Sequence, residues 1–291
     1  MSNARITVMT DTNSGIFRDR GRADGIEVIP MPVIIDDKDY LEGENLTQEA
    51  LFKALSEERE VHSSQPSVGD LTSAWDKCLQ SCDEIVYVPM SSGLSGSCET
   101  ATQFAKEYEG RVQVVDNHRI SVSLMESVYD AVALAKKGLT AAQIKARLEE
   151  NAFQSSIYIT VNTLNNLKKS GRVTPAAAML ATVLNLKPIL TIQGERLDAY
   201  AKARGMKHAE EKMIEAARKD LETRFANVPK ERLHLATAGT LETAAEAKAW
   251  RMQVQEAFPE FEVYYEPLSC SIASHVGVGT QGIGIIVTDR E

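Results

Sequence analysis

The chain has 291 residues, enough for one large or two ordinary domains with a substantial buried core. A formal net charge of -9 and an aromatic content of 6% exclude nonspecific nucleic-acid binding, which needs a basic surface, and argue against aromatic platforms for stacking bases. Hydrophobic residues at 43% and charged residues at 25% are ordinary for a soluble globular protein, and no apolar run approaches the ~20 residues of a membrane span.

The first half alternates strand and helix. Ile6 to Thr10 reads as a short apolar strand that begins almost at the N-terminus, with no signal-peptide core before it. Asp11-Thr12-Asn13-Ser14, a run of turn and cap residues, ends it. Ile26 to Ile35 is a second strand, interrupted by Pro30 and Pro32, hence an edge strand or two pieces. Thr47 caps a helix toward Glu58, and Ser67 with Asp70 opens another that runs through Cys82. Glu84 to Met90 is a near-continuous apolar strand, followed by a Ser/Gly loop and a helix to about Tyr108. Val112 to Asp116 is a strand, Ser121 to Lys137 a long amphipathic helix, and Thr140 with Gln143 a capping box for the next helix. Apolar strands separated by helices predict a parallel sheet covered on both faces, with ligands beyond the carboxyl ends of its strands.

The second half differs in texture. Ile157 to Val161 reads as a strand, Asn162 to Ser170 as a helix stopped by Gly171, and Ala176 to Leu184 as a helix started by Thr174 and Pro175. Lys187 to Ile192 and Arg196 to Ala201 form a hairpin around Gln193-Gly194-Glu195. Helices at about 207–224 and 241–258 then alternate with strands at 233–238, 262–266 and 283–288. A hairpin among helical crossovers predicts a mixed sheet. The fold class is therefore α/β, with an N-terminal α/β/α domain over residues 1–150 and a mixed-sheet C-terminal domain over residues 151–291.

Cys78, Cys82, Cys98 and Cys270 follow no zinc-ligand spacing and read as the reduced thiols of a cytoplasmic protein. The sequon at Asn45 is then a chance match, and no metal or cofactor is expected. His62, His118, His208 and His234 are scattered along the chain.

Three small-residue segments carry the candidate chemistry: Ser63-Ser64-Gln65-Pro66-Ser67, Ser91-Ser92-Gly93-Leu94-Ser95-Gly96 and His275-Val276-Gly277-Val278-Gly279. Each falls where a predicted strand gives out. Hydroxyls, loop amides and one imidazole suit a single carboxylate or phosphate, since they supply hydrogen bonds without a full counter-charge. Gly277 to Gly282 matches a GxGxxG dinucleotide fingerprint, but a strand rather than a helix follows it, so the glycines serve close approach to a ligand or another backbone. Gly93-Leu94-Ser95-Gly96-Ser97 misses the GxSxG nucleophile elbow by one residue. A Ser95 nucleophile with His275 as base stays open beside the plainer readings of a capped turn and a histidine satisfied by loop carbonyls.

Taken in order, these segments resemble the DegV family of bacterial fatty-acid-binding proteins. The resemblance runs from Thr10-Asp11-Thr12-Asn13-Ser14 through the two serine segments to Leu167-Lys168-Lys169-Ser170-Gly171-Arg172. It continues through Leu186-Lys187-Pro188-Ile189 and Lys202-Ala203-Arg204 to His275 with its glycines. It implies a long-chain fatty acid in a tunnel, with the carboxylate held by Ser63 (more often Thr in the family), Ser95 and His275, aided by the loop of Ser92, Gly93 and Gly96. It further implies presentation of the acid to a separate fatty acid kinase, docked through Arg172 and Arg204. The chain departs from the family at Ser170-Gly171-Arg172, usually Gly-Gly-Arg, and at Ala203-Arg204-Gly205, usually Ala-Arg-Thr. Val276 and Val278 depart as well.

The stretch Ala176 to Leu190 is a candidate tunnel wall. At about 0.8 kcal/mol per buried methylene, some fourteen methylenes would give roughly 11 kcal/mol gross. The expected protein is a monomeric carrier with no nucleic-acid partner and no stable membrane insertion. A Ser95-dependent acyl hydrolase and a lipid-sensing regulator are the alternatives.

Overall fold

A computed structural model describes residues 4–182, 186–193 and 196–290. Its first half contains β1 (Ile6–Asp11), β2 (Ile26–Ile29), β3 (Pro32–Ile35), β4 (Lys38–Leu41), β5 (Val61–Ser63), β6 (Glu84–Val88) and β7 (Val112–Val114). The second half contains β8 (Ser155–Thr160), β9 (Leu186–Ile192), β10 (Asp198–Arg204), β11 (Leu233–Gly239), β12 (Val263–Pro267) and β13 (Gln281–Val287).

The N-terminal sheet has the order β2-β1-β6-β7, parallel throughout. Successive residues of a strand point to opposite faces, which explains its continuous apolar runs. Met9, Ile85, Tyr87 and Val114 pack on one side against the helices Val68–Cys78 and Ser97–Ala105, around the buried Trp75. Val8, Val86 and Val88 face the other side, where the helices Val122–Lys136 and Ala141–Glu150 lie. The capping box of Thr140 and Gln143 forms as the sequence predicts.

The predicted strand from Ile26 to Ile35 divides into β2 and β3, which belong to different sheets. β3 joins β4 and β5 in a small antiparallel sheet of order β4-β3-β5 that the sequence reading missed. β4 and β5 are three or four residues long and largely polar, so no hydrophobic alternation marks them. Asp36 and Asp37 join β3 to β4 with positive φ of 47° and 59°, the backbone sign of a two-residue hairpin turn more often built with Asn-Gly.

The C-terminal sheet has the order β10-β9-β8-β13-β11-β12 and is mixed: β11 and β12 run parallel, the other neighbours antiparallel. Helices Gly205–Glu222 and Ala244–Ala257 cover one face, packing Met213 and Trp250 against Tyr158, Ile283 and Ile285. The other face turns toward the N-terminal sheet. Ile159, Leu190, Ile192 and Ile286 share one apolar core with Val8, Val86 and the helix Val122–Lys136. That helix is accordingly buried on most of its circumference rather than amphipathic, and it contacts strands of both sheets.

Among the described residues the small-residue helix comprises Pro175–Ala178 and a 3₁₀ turn Met179–Thr182. Its predicted end at Leu184, and Gly194-Glu195 of the hairpin turn, lie outside the described residues.

Candidate functional site

The Ser/Gly loop leaves the carboxyl end of β6 and folds back on itself. The amides of Leu94 and Ser95 each donate to the Ser91 carbonyl at 3.1 Å, that of Gly93 to Ser91 Oγ at 3.2 Å, and that of Ser92 to Asp116 Oδ1 at 3.3 Å. These four amides, those of Ser92 and Gly93 from the expected ligand loop among them, are thus engaged within the protein. The Ser95 hydroxyl accepts the Ser97 amide at 3.2 Å, an arrangement in which its own proton can still be donated. Asp11 to Ser14 are buried and serve as fasteners. Asp11 accepts from the amides of Met90 and Asn13, both at 2.9 Å, and burial pushes its carboxyl up to about 6.

His275 sits elsewhere than expected. It is not in a loop at the end of a strand but in the last turn of the helix Cys270–Val276, whose first turn Ser269 caps. The run Cys270-Ser271-Ile272-Ala273-Ser274 has little helical propensity. Tertiary packing overrides it: Cys270 and Ala273 are buried with Val33 and Ile35 of the small sheet. The helix brings His275 Nε2 to 2.6 Å from Ser63 Oγ, the last residue of β5, across 212 residues of sequence. Burial lowers the His275 pKa to about 4, helped by the positive charge of Arg172. The imidazole is therefore neutral at pH 7, with one ring N–H and one ring acceptor.

Between the two sheets lies a narrow cavity of about 80 Å³, smaller than the ~300–1,000 Å³ typical of small-molecule sites. Its wall is overwhelmingly apolar, with Met90 and Leu94 on one side and Ile157, Ile159 and Ile192 on the other. Four residues on it carry polar side chains: Ser121, Arg172, Ser271 and His275. Gly282, Ile283 and Gly284 of β13 also border it, with Ile283 packing at the same time into the opposite core. A Cβ on Gly284 would meet Val122 Cγ2 at 3.0 Å. His275 and Arg172 border both this cavity and an outer groove, where Ser63, His62, Asn166 and Lys169 also lie. The Ser63–His275 pair thus stands at the junction of the two spaces.

Arg172 was expected at a partner surface. It follows Gly171, which ends the helix Asn165–Ser170 in a left-handed conformation with φ of 70°, and it is half-buried. Its Nε donates to the Leu94 carbonyl at 3.3 Å and its second nitrogen to the Ser170 carbonyl at 2.5 Å, which ties it to the serine loop. Arg204 ends β10, is exposed, and lines neither the cavity nor the groove. Ser92, Gly93, Ser95 and Gly96 are likewise not among the lining residues, although Leu94 between them is. Among the described residues of the stretch Ala176 to Leu190, none is among the lining residues. Ala177 and Leu190 pack in the shared core, Ile192 and Leu197 take the lining positions, and residues 183–185 lie outside the described residues.

Sequence reasoning passed over the glycines at 282 and 284 as a lining pair. Two glycines at i and i+2 in a strand of isoleucines were the available signal, since they bare one face of the backbone. Glu42 was also missed. Its side chain is 2% exposed, it accepts from Thr12 Oγ1 at 2.8 Å and from the Cys270 amide, and burial pushes its carboxyl up to about 7. Among the described residues no His/Cys/Asp/Glu group could hold a metal ion, and no helix is long and apolar enough to cross a membrane.

This architecture is similar to solved structures. It superposes with a TM-score of 0.86 on a DegV family protein of Thermus thermophilus described by its fatty acid binding, at 31% identity over 97% of this chain and 99% of that one. A stearic-acid-binding protein of Eubacterium ventriosum shares the fold with a TM-score of 0.86 at 18% identity, over 96% and 97% of the two chains. A DegV domain-containing protein of Listeria monocytogenes is 30% identical over 289 residues, spanning 97% of this chain and 98% of its own. The family model described as "Uncharacterised protein, DegV family" matches residues 5–288. With nearly its whole length matched in sequence and in fold, the chain belongs to the DegV family.

Proposed function

We propose that this protein binds one long-chain fatty acid, with the acyl tail in the cavity between the sheets and the carboxylate beside Ser63, His275 and Arg172. One observation carries the reading: among the described residues that line the apolar cavity, the histidine and the arginine both stand where it meets an outer groove. A methylene chain gains by leaving water for such a wall, whereas a carboxylate needs hydrogen bonds to offset its lost hydration. Arg172 supplies a cation, and the Ser63–His275 pair, one of whose protons lies in its own 2.6 Å contact, supplies the other as a donor; in this reading the Ser95 hydroxyl turns to the carboxylate when the acid binds. The fatty-acid-binding description of the similar Thermus thermophilus protein supports the same ligand class.

We further infer that the bound acid is presented to a separate fatty acid kinase. In this reading the groove outside His275 admits the partner and the exposed Arg204 meets its surface, on a protein whose net charge of -9 otherwise repels acidic patches. We infer two domains that meet near residue 150, between the helix Ala141–Glu150 and β8, and share an apolar core at their interface. The hydrolase alternative loses its dyad, because His275 pairs with Ser63 rather than Ser95. A histidine with a pKa of about 4 is also a weak general base at neutral pH.

The test is to denature the purified protein, extract it with organic solvent and analyse the extract by mass spectrometry, alongside titration of the lipid-free protein with acids of about C14 to C20, lengths that suit a tunnel of domain dimensions. One equivalent of fatty acid is expected. An empty extract with no binding of any of these acids would refute the carrier reading. Arg204→Ala should retain lipid yet lose acyl-phosphate production with the kinase, and wild-type rates in that variant would refute the docking role.

A further inference from the structure

The helix Cys270–Val276 is one of two bodies that make the headgroup pair; the other is the small sheet β4-β3-β5, which ends in Ser63. The helix is only seven residues long, and His275 sits in its last turn. A small rotation about its first turn would carry the imidazole away from Ser63 Oγ, now 2.6 Å from Nε2.

Three buried or half-buried side chains of the N-terminal half hold the start of this helix. Gln48 donates to the Leu268 carbonyl at 2.5 Å, and Asn13 Oδ1 accepts from Ser269 Oγ at 2.8 Å, so these two fasten the residues before the helix. Glu42 takes the first amides of the helix itself, those of Cys270 and Ser271. Glu42 directly follows β4, whose Leu41 pairs with Pro32 of β3, and β3 in turn pairs with β5 through Val33 and Ser63. The small sheet therefore grips the helix at both ends, by Glu42 at its start and by Ser63 at its finish. Thr12 locks the grip, since its hydroxyl donates to Glu42 Oε2 at 2.8 Å and accepts the Met31 amide at 3.1 Å.

We propose that Glu42 is a positioning residue of the headgroup site: by joining Thr12 to the first turn of the helix Cys270–Val276, it sets the orientation in which His275 meets Ser63. Glu42 does not border the cavity, so the role runs through the helix and not through contact with ligand. A carboxyl group buried to this degree is expensive to keep. Its placement between two backbone amides and a hydroxyl gives it the geometry of a clamp. This role adds to the fatty-acid reading and rests on it only for the choice of His275 as a ligand contact.

The test compares Glu42→Ala, Glu42→Gln and Thr12→Val with the wild-type full chain. The first readout is the ¹⁵N signal of the His275 ring in protein stripped of lipid, which does not depend on the ligand's identity. Glu42→Ala and Thr12→Val should both shift it, as the hydrogen bond to Ser63 weakens. Glu42→Gln should restore it, because an amide can accept from Cys270 and donate to Thr12 Oγ1. The second readout is affinity for palmitate, expected to fall about tenfold in Glu42→Ala, the cost of one hydrogen bond to a charged group.

Unshifted ring signals in folded Glu42→Ala and Thr12→Val would overturn the proposal, and would show that apolar packing of Cys270 and Ala273 orients the helix by itself. Glutamine behaving like alanine would overturn the clamp as well. Should Glu42→Ala fail to fold, Thr12→Val decides the matter. If the wild type binds no palmitate, the carrier reading falls while the ring signals still judge Glu42.

Discussion

Replacing Arg172 by glutamine should weaken fatty acid binding and raise the pKa of His275 together. The guanidinium borders the cavity where His275 does, and it is held there by the Leu94 and Ser170 carbonyls. A bound carboxylate at Ser63 and His275 would lie within reach of that charge. A hydrogen bond to a charged group is worth about 1.5–3 kcal/mol, so affinity should fall by about tenfold to a hundredfold or more at 1.36 kcal/mol per decade. The effect on His275 follows from the causes of its depression. Burial is the largest and Arg172 the second, so removing the cation should lift the midpoint from about 4, while burial keeps it below the ordinary ~6.5. Calorimetric titration with palmitate and an NMR titration of the ring read the two effects separately. Arg204→Gln, exposed and remote from the lining, is the control and should leave both unchanged. Wild-type affinity in Arg172→Gln, with an unmoved His275 midpoint, would show that the guanidinium faces a partner and not the ligand.

Ser63→Ala removes the 2.6 Å contact with His275, and both it and Ser95→Ala should lose about tenfold in affinity for the acid while the tail still enters, one lost hydrogen bond each; unchanged binding in a displacement assay would remove that serine from the site. Gly284→Val should fill the inner part of the cavity beside Val122 and move the preference toward shorter acids. Excluding roughly three methylenes would cost long chains about 2 kcal/mol at ~0.8 each, and a chain-length profile identical to wild type would reject the lining role of β13. Stability should also depend on His275. Its folded pKa of about 4 lies below its unfolded value of 6.5, so the unfolded chain binds the proton first, and this contribution is lost as pH falls from 6.5 toward 4. The gap is worth up to about 3 kcal/mol at 1.36 per pH unit. Asp11 and Glu42 carry the opposite sign, since their raised pKa values, about 6 and about 7, let the folded state hold protons longer as pH rises. The measurement is therefore the difference between wild type and His275→Gln in urea unfolding across that range, and parallel curves would contradict a buried neutral imidazole.

Much of the frame was legible in the amino-acid sequence because it follows from local rules. Apolar runs such as Glu84 to Val88 mark strands buried on both faces, and the capping box of Thr140 and Gln143 marks a helix start within one residue. The order of the serine, glycine and histidine segments was enough to point to the family, and Ser63 and His275, named from distant segments, lie within hydrogen-bond distance of each other. The small sheet was not legible, since β4 and β5 are short and polar and owe their existence to pairing with β3. Nor was the helix around His275, which packing of Cys270 and Ala273 imposes on residues that do not favour it. The cavity belongs wholly to the tertiary structure. Leu94, Ile157, Arg172 and Gly284 line it from segments far apart in the chain, and periodicity tells which face of each element is apolar but not which two faces meet. An empty space between sheets is set by the mismatch of the side chains on both, here in part by Gly284 opposite Val122 at the start of a helix, and no single segment contains that information.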